Sequence, residues 1–370
     1  MSMVSLPGLK AIIDVMSRER NLPKQAVQNA LTEALLKGYE RYRRMQSLEG
    51  SNFPEDYFNN FKVELDLEAE GFRVLATKTV VEAASQPDQE VAFNTKPAAA
   101  VGLGDTVVVD VTPDQGEFGR LAALQTKQVL TQKLQEQQCQ LIKEQFLELR
   151  GTVVQARVIR IERKATIVGV SSGAGKPEVE AELPNYEKLL QDNYSTDAKL
   201  KVYLKKVYET PRQGPQLRVS RATTGLVAGI LTGIVPEIQQ ETIQIIAVVR
   251  DATPESPLVV SRSKIAVDTQ QPDLDPVAVC VGENGARLQA VVSELRGEKV
   301  DIIRWSDDPA TYIARALYPA QVEKVLLVDP ETLVAEVFLP ADQLPLALGP
   351  DEQNLRLAAR LTGWQIELKT

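Results

Sequence analysis

The chain has 370 residues, 44% hydrophobic and 25% charged, with a formal net charge of -8, two cysteines and no histidine. That length exceeds one ordinary core and predicts two to four domains. Without histidine there is no Ser-His or Cys-His arrangement and no imidazole metal ligand, so the composition argues against an enzyme, and neither a catalytic residue, a metal site nor a cofactor is expected.

Cys139 and Cys280 stand too far apart in sequence to suggest a zinc cluster or a disulfide framework and read as ordinary thiols. The most apolar run, GLVAGILTGIV at 225–235, stops at Pro236, well short of the roughly 18 residues of a membrane span. Its Gly225, Gly229 and Gly233 share a small-xxx-small spacing. Charged residues interrupt the first apolar stretch, which leads to the expectation of a cytoplasmic protein with no membrane partner. Charge is unevenly spread. Residues 1–150 carry 17 basic and 21 acidic side chains, residues 151–225 carry 13 and 8, and residues 226–370 carry 12 and 21. Only the middle segment is basic, and phosphate binding rests on Lys and Arg.

In chain order, an amphipathic helix is predicted near Gly8 to Arg20, followed by a cap-like Asn21, Pro23 and a longer helix to about Met45. Lys37, Arg41 and Arg44 fall at i, i+4 and i+7 of that second helix and would share a face, either as a basic contact surface or as a solvated basic end suited to the helix dipole. FKVELDLEA and FRVLATKTVVE alternate with period two around Glu70 and Gly71, a hairpin pattern, and GDTVVVDVTP reads as a third strand. From Glu117 to Arg150 the helical spacing of Leu134, Leu141, Ile142 and Phe146 predicts a connecting helix of roughly 50 Å.

Between 151 and 225, short β segments divided by turns predict a small OB-type barrel. Arg160, Arg163, Lys164, Lys201, Lys205 and Lys206 supply its positive excess and are its candidate phosphate contacts. The first barrel strands hold no aromatic, leaving Tyr203 and Tyr208 as stacking candidates. SSGAGKPEVE lacks the glycine spacing and the hydroxyl of a phosphate loop, so nucleotide binding is rejected.

Beyond 226 an internal repeat emerges. VCVGENGARLQAVVSELRGEKVDII and LALGPDEQNLRLAARLTGWQIEL align with their loop glycines, Gly282 and Gly349, 67 residues apart. Gly282-Glu283-Asn284-Gly285 fits the G-x-x-G hinge of a KH domain, where glycines let the backbone approach a sugar-phosphate chain. A simple turn between two helices is the plainer alternative. In the second copy, Gly349-Pro350-Asp351-Glu352, a glutamate replaces the closing glycine and two carboxylates would repel phosphate.

DPVAVCVGENGARLQAVV followed by SELRGEKVDIIRWSDDPATYIARAL resembles the first KH domain of the bacterial NusA family of transcription factors. EFGRLAALQTKQVLTQKL resembles that family's junction between head and body, and EIQQETIQIIAVVRD the entry to its first KH domain. The resemblance covers nearly the whole chain. It implies a multidomain α/β and β protein: an α/β amino-terminal head with a long linker helix (1–150) that binds RNA polymerase, an S-one-type OB barrel (151–225), and two tandem prokaryotic-type (type II) KH domains (226–305 and 306–370). The second of these has a degenerate hinge.

The implied role is an elongation factor near the RNA exit channel that binds RNA polymerase core and nascent single-stranded RNA, alongside other Nus-type factors, to modulate pausing, termination and antitermination. A monomer is expected. Gly282, Glu283, Asn284, Gly285 and the following Arg287 are the implied RNA contacts of the first hinge, although the usual basic residue between its glycines is missing. The last strand ends close to Thr370, which leads to the expectation that the carboxy-terminal extension of some family members is lacking. Two other readings stay open: a polymerase-binding scaffold whose KH tandem is structural or protein-binding, and an RNA-processing enzyme that carries OB and KH modules.

Overall fold

A computed structural model describes residues 3–46, 57–86, 88–95, 101–114, 118, 121–173, 175–209, 214–254, 259–329 and 331–370. The chain divides into two compact units, Met1–Ile142 and Lys143–Thr370. In the first, β1 (Val4–Ser5), β2 (Phe61–Asp66), β4 (Glu90–Ala92) and β5 (Thr106–Asp110) all pair with the long β3 (Gly71–Val81). The predicted hairpin is present, with Leu65 opposite Phe72. Its inward set, Phe61, Val63, Phe72, Val74 and Ala76, packs against Val27, Leu31, Ala34, Leu35 and Tyr39 of α2 (Lys24–Gln46), with Leu9 and Ile13 of α1 (Leu9–Arg20) closing the core. The short β4 has no counterpart among the predicted strands, being only three residues long.

The connecting helix α3 runs from Leu121 to Phe146, about 39 Å at 1.5 Å per residue rather than the 50 Å expected. Part of the expected range lies outside the described residues. At the other end the chain must turn into the barrel, and it does so through Gly151 at φ 85°, with Thr152 Oγ1 donating to the Leu149 carbonyl.

The expected barrel is closed. β6 (Val153–Ile161), β7 (Ala165–Ser171), β8 (Glu178–Pro184), β10 (Leu217–Ser220) and β9 (Lys199–Val207) form the ring, with β8 and β10 parallel. Helix α4 (Thr224–Ile234) then lies on the barrel wall. A Cβ built on Gly225 would come within 2.4 Å of the Tyr203 ring, and one on Gly229 within 2.4 Å of Val153 Cγ2. The small-residue spacing noted in GLVAGILTGIV therefore serves close helix-to-barrel approach at Gly225 and Gly229, while Gly233 meets nothing.

After the one-turn α5 (Pro236–Gln239), the first KH repeat adds β11 (Gln244–Asp251), β12 (Arg262–Asp268), α6 (Pro276–Val281), α7 (Ala286–Glu294) and β13 (Lys299–Arg304). The second adds α8 (Pro309–Ala316), β14 (Lys324–Asp329), β15 (Val334–Phe338), α9 (Leu344–Leu348), α10 (Gln353–Thr362) and β16 (Gln365–Lys369). Both sheets have an antiparallel pair followed by a parallel one. The repeats share one core: Val249, Ala266 and Ile303 of the first pack with Ile313, Ala335, Leu357 and Trp364 of the second.

Two polar joints hold the second unit together. Arg221, 1% exposed, pairs with Asp192 at 2.7 Å and donates to the carbonyls of Lys201 and Glu294. Arg250 pairs with Glu298 at 2.6 Å, both side chains at most 1% exposed, and donates to the carbonyls of Arg221 and Thr223. Between the KH repeats, fully buried Lys264 reaches Asp301 at 3.0 Å and the Tyr318 carbonyl at 2.9 Å, with Arg262 on the same carboxylate.

Overpacking a tight contact costs about 1–3 kcal/mol, so Gly229→Leu should lower the urea midpoint of the body with little change in slope. A midpoint equal to wild type would show that the helix is not seated as described. Burial pushes the Lys264 ammonium down from 10.5 to about 8. Between those values the unfolded chain binds the additional proton, so this group costs stability below about 8 and that cost is relieved as pH rises toward 10.5. Lys264→Met lacks the effect. Denaturant titrations at pH 7.5 and 9.5 should therefore show wild type gaining on the mutant at the higher pH, by at most roughly 3 kcal/mol at 1.36 kcal/mol per pKa unit.

Candidate nucleic-acid interface

The two hinges follow the same backbone path. Gly282, Asn284 and Gly285 have φ, ψ of 75°, 172°; 49°, 26°; and 76°, 13°. Gly349, Asp351 and Glu352 have 70°, 178°; 47°, 38°; and 57°, 18°. The absence of the closing glycine from the second copy has not changed the course of the chain. Glu352 occupies the left-handed region that non-glycine residues usually avoid, at a cost of roughly 1 kcal/mol.

The two glycines of a hinge have different jobs. A Cβ on Gly282 would meet Arg287 Cγ at 2.7 Å, and one on Gly349 would meet Asn354 Cβ at 2.8 Å, so the first glycine serves internal packing. A Cβ on Gly285 would meet nothing within 4 Å. Only its φ and whatever approaches from outside call for glycine there. In the second hinge that open side carries the Glu352 side chain, with Asp351 exposed beside it.

Arg287 and Asn354 occupy equivalent positions and do equivalent work. Arg287 Nη1 donates to the Val279 carbonyl at 2.9 Å and its guanidinium pairs with Glu237, so it straps the hinge to helix α6. Asn354 Nδ2 donates to the carbonyls of Leu346, Ala347 and Leu317, each at 3.1 Å. Neighbouring Gln353 donates to Asp251 and to the Val260 carbonyl, which seats the second hinge against the first repeat. Beside it lies an open cavity of about 680 Å³ whose lining mixes charges: Asp251 and Asp351 against Arg356 and Arg360.

On the barrel, local carboxylates engage half of the candidate cations. Arg160 pairs with Glu162 and Glu180, Lys201 with Glu294, and Lys205 with Glu187. Arg163, Lys164 and Lys206 are exposed and form no ion pair among the described residues. Sequence counting cannot separate these sets, because Glu180, Glu187 and Glu294 lie on other elements than the cations they meet. Of the two aromatic candidates, Tyr203 is pressed under Gly225 and belongs to the packing, while the Tyr208 ring stacks 5.6 Å from the Arg218 guanidinium. In the head, Lys37, Arg41 and Arg44 are all exposed. Lys37 is engaged by Glu40 at 2.8 Å, and Arg44 lies 5.5 Å from the Phe58 ring centroid. Among the described residues no group of acids and cysteines could hold a metal ion.

An OB-type barrel followed by two fused KH repeats, one hinge open and one acidic, defines a protein of the KH class. Residues 8–140 match the NusA N-terminal domain, 221–305 the NusA-like first KH domain and 309–370 the NusA-like second KH domain. The chain is 36% identical over 362 residues to the transcription termination/antitermination protein NusA of Bacillus subtilis, covering 97% of this chain and 89% of the relative. It is 35% identical over 364 residues to that of Halalkalibacterium halodurans (97% and 87%) and 35% over 353 residues to that of Thermus thermophilus (95% and 87%). The chain belongs to the NusA family of transcription termination/antitermination proteins.

Removing Asn354 takes a donor from the carbonyls of Ala347, Leu346 and Leu317, of which Leu317 keeps the Ala320 N–H, and a buried carbonyl left unsatisfied costs about 1–3 kcal/mol. Asn354→Ala should therefore lower the melting temperature of the body clearly more than the exposed Arg356→Ala does. Equal shifts in calorimetry would show that the strap is dispensable.

Proposed function

We propose that this non-enzymatic family member binds RNA polymerase through residues of about 1 to 115, near the RNA exit channel. Lys37, Arg41 and Arg44 lie on the face offered to polymerase or exiting RNA. The barrel (151–225) and first KH repeat (226–305) touch nascent single-stranded RNA, and the protein thereby modulates pausing, termination and antitermination. The observation that carries this reading is the first hinge, where Gly285 holds a left-handed backbone with open space on its outer side. RNA is met there by the backbone of Gly282, Glu283, Asn284 and Gly285, with Arg287 holding that backbone in place. The second hinge (306–370 repeat) keeps the path but presents Asp351 and Glu352, which repel phosphate.

Fluorescence anisotropy of the full chain with single-stranded RNA tests this. Gly285→Asp should weaken binding about tenfold or more, since a side chain and a charge enter the open face together and 1.4 kcal/mol is already tenfold. Polymerase binding should not change. Asp351→Arg with Glu352→Gly should tighten RNA binding and steepen its salt dependence. A scaffold reading, in which the KH tandem binds protein, is favoured by the 21 acidic against 12 basic side chains of residues 226–370. Unchanged RNA affinity in both variants would support it and sink the RNA-reading hinge.

A further inference from the structure

The barrel carries an exposed aromatic that the strand pattern does not single out. Tyr186 sits in the short 3-10 turn Asn185–Glu187 after β8, and the residue is 69% exposed. Asn185, just before it, is tied twice to the β6–β7 turn: its backbone N–H donates to the Lys164 carbonyl at 3.1 Å and its Nδ2 to the Arg163 carbonyl at 3.0 Å. Those bonds bring Arg163 and Lys164, both exposed and without an ion pair among the described residues, beside the tyrosine.

On the other side, Arg218 Nη1 donates to Tyr186 Oη at 3.4 Å while the same guanidinium lies 5.6 Å from the Tyr208 centroid and 3.0 Å from Glu182. Arg218 is thus held between two tyrosines. The β9–β10 register places Lys206 opposite Arg218, so the two share one face of that strand pair, and Lys206 too is exposed.

An exposed ring on a turn tied to the segment that carries Arg163 and Lys164, with Arg218 against its hydroxyl and Lys206 opposite Arg218 in the strand register, suits a ligand that offers alternating flat bases and phosphates. We propose that Tyr186 is a base-stacking residue of a single-stranded RNA site at this end of the barrel. Arg163, Lys164 and Lys206 meet the phosphates, and Arg218 is a positioning residue that orients the ring. The proposal rests on the RNA-reading function above and adds a platform separate from the KH hinges. Cations and an aromatic together favour RNA over an acidic peptide, which would use the charges but not need an unobstructed ring face.

Anisotropy of the full chain would use a labelled mixed-sequence RNA of about 12 nucleotides, within the span of an OB fold, and an abasic ribose-phosphate strand of the same length. Tyr186→Ala should weaken RNA binding about 5- to 150-fold, the equivalent of 1–3 kcal/mol per stacked base. Tyr186→Phe, which keeps the ring but loses the hydroxyl that Arg218 holds, should fall between wild type and Tyr186→Ala, and the abasic strand should bind wild type and Tyr186→Ala alike. Replacing Arg163, Lys164 and Lys206 by serine should instead lower the slope of log affinity against log salt by about 0.7 for each phosphate no longer neutralised. Wild-type affinity for RNA in Tyr186→Ala, or the same loss on the abasic strand, would overturn the stacking role and leave the hinge reading standing. No salt-dependent RNA binding by wild type would overturn both. Because the ring is exposed, unfolding does not confuse the test, and unchanged circular dichroism of the variant checks that point.

Discussion

The buried arginine pair at the seam of barrel and first KH repeat organises the rest of the body. Arg221 directly follows the last barrel strand, and its guanidinium ties Asp192 and the Lys201 carbonyl on one side to the Glu294 carbonyl on the other. Arg250 answers from the KH sheet, bonding the Arg221 and Thr223 carbonyls while Glu298 balances its charge and Ser263 supplies that carboxylate with another donor. Charges this deeply buried are tolerable only when fully bonded, and removing one partner of such a pair typically costs about 3–5 kcal/mol. The joint therefore sets direction as much as strength. Geometry that satisfies every donor admits few arrangements of barrel against sheet.

From this seam the fused KH core follows. The apolar residues of both repeats meet in one cluster, and Gln353 and Lys264 cross from one repeat to the other as hydrogen-bonded straps. The second hinge consequently packs beside the first repeat. That placement gives a physical account of why its backbone can persist with a glutamate in the left-handed region: Asn354, Gln353 and Gly349 are tied into the core, and only the outer side of the loop is free to change. Fold and charge have separated within four residues.

Much of this is legible in residue order. Strand alternation and helical spacing are local properties, so they mark the head hairpin, the barrel segments and both KH repeats, and the acidic character of Asp351 and Glu352 is visible directly. The same spacing predicts a connecting helix to Arg150, whereas the helix ends at Phe146. The phosphate contacts are harder. Arg160, Lys201 and Lys205 carry the same formal charge as Arg163, Lys164 and Lys206, but they meet carboxylates on β8, in the 3-10 turn after it or, for Glu294, in the KH repeat. Arg287 has the charge and place to compensate for a missing basic residue, and its guanidinium is engaged by the Val279 carbonyl and Glu237, neither of which residue order brings next to it.

Residue order alone settled the family, the longer elements, the matching of the two repeats and the sign of charge on each hinge, because these depend on neighbours within a helical turn, a strand or a repeat. The folded chain alone settled which charges remain available and which aromatic is free: Tyr203 lies under Gly225 while Tyr186 stands exposed. The reason is distance along the chain. Neutralisation and burial are fixed by side chains that meet only after the barrel has closed and the KH sheets have packed, and no local pattern records those meetings.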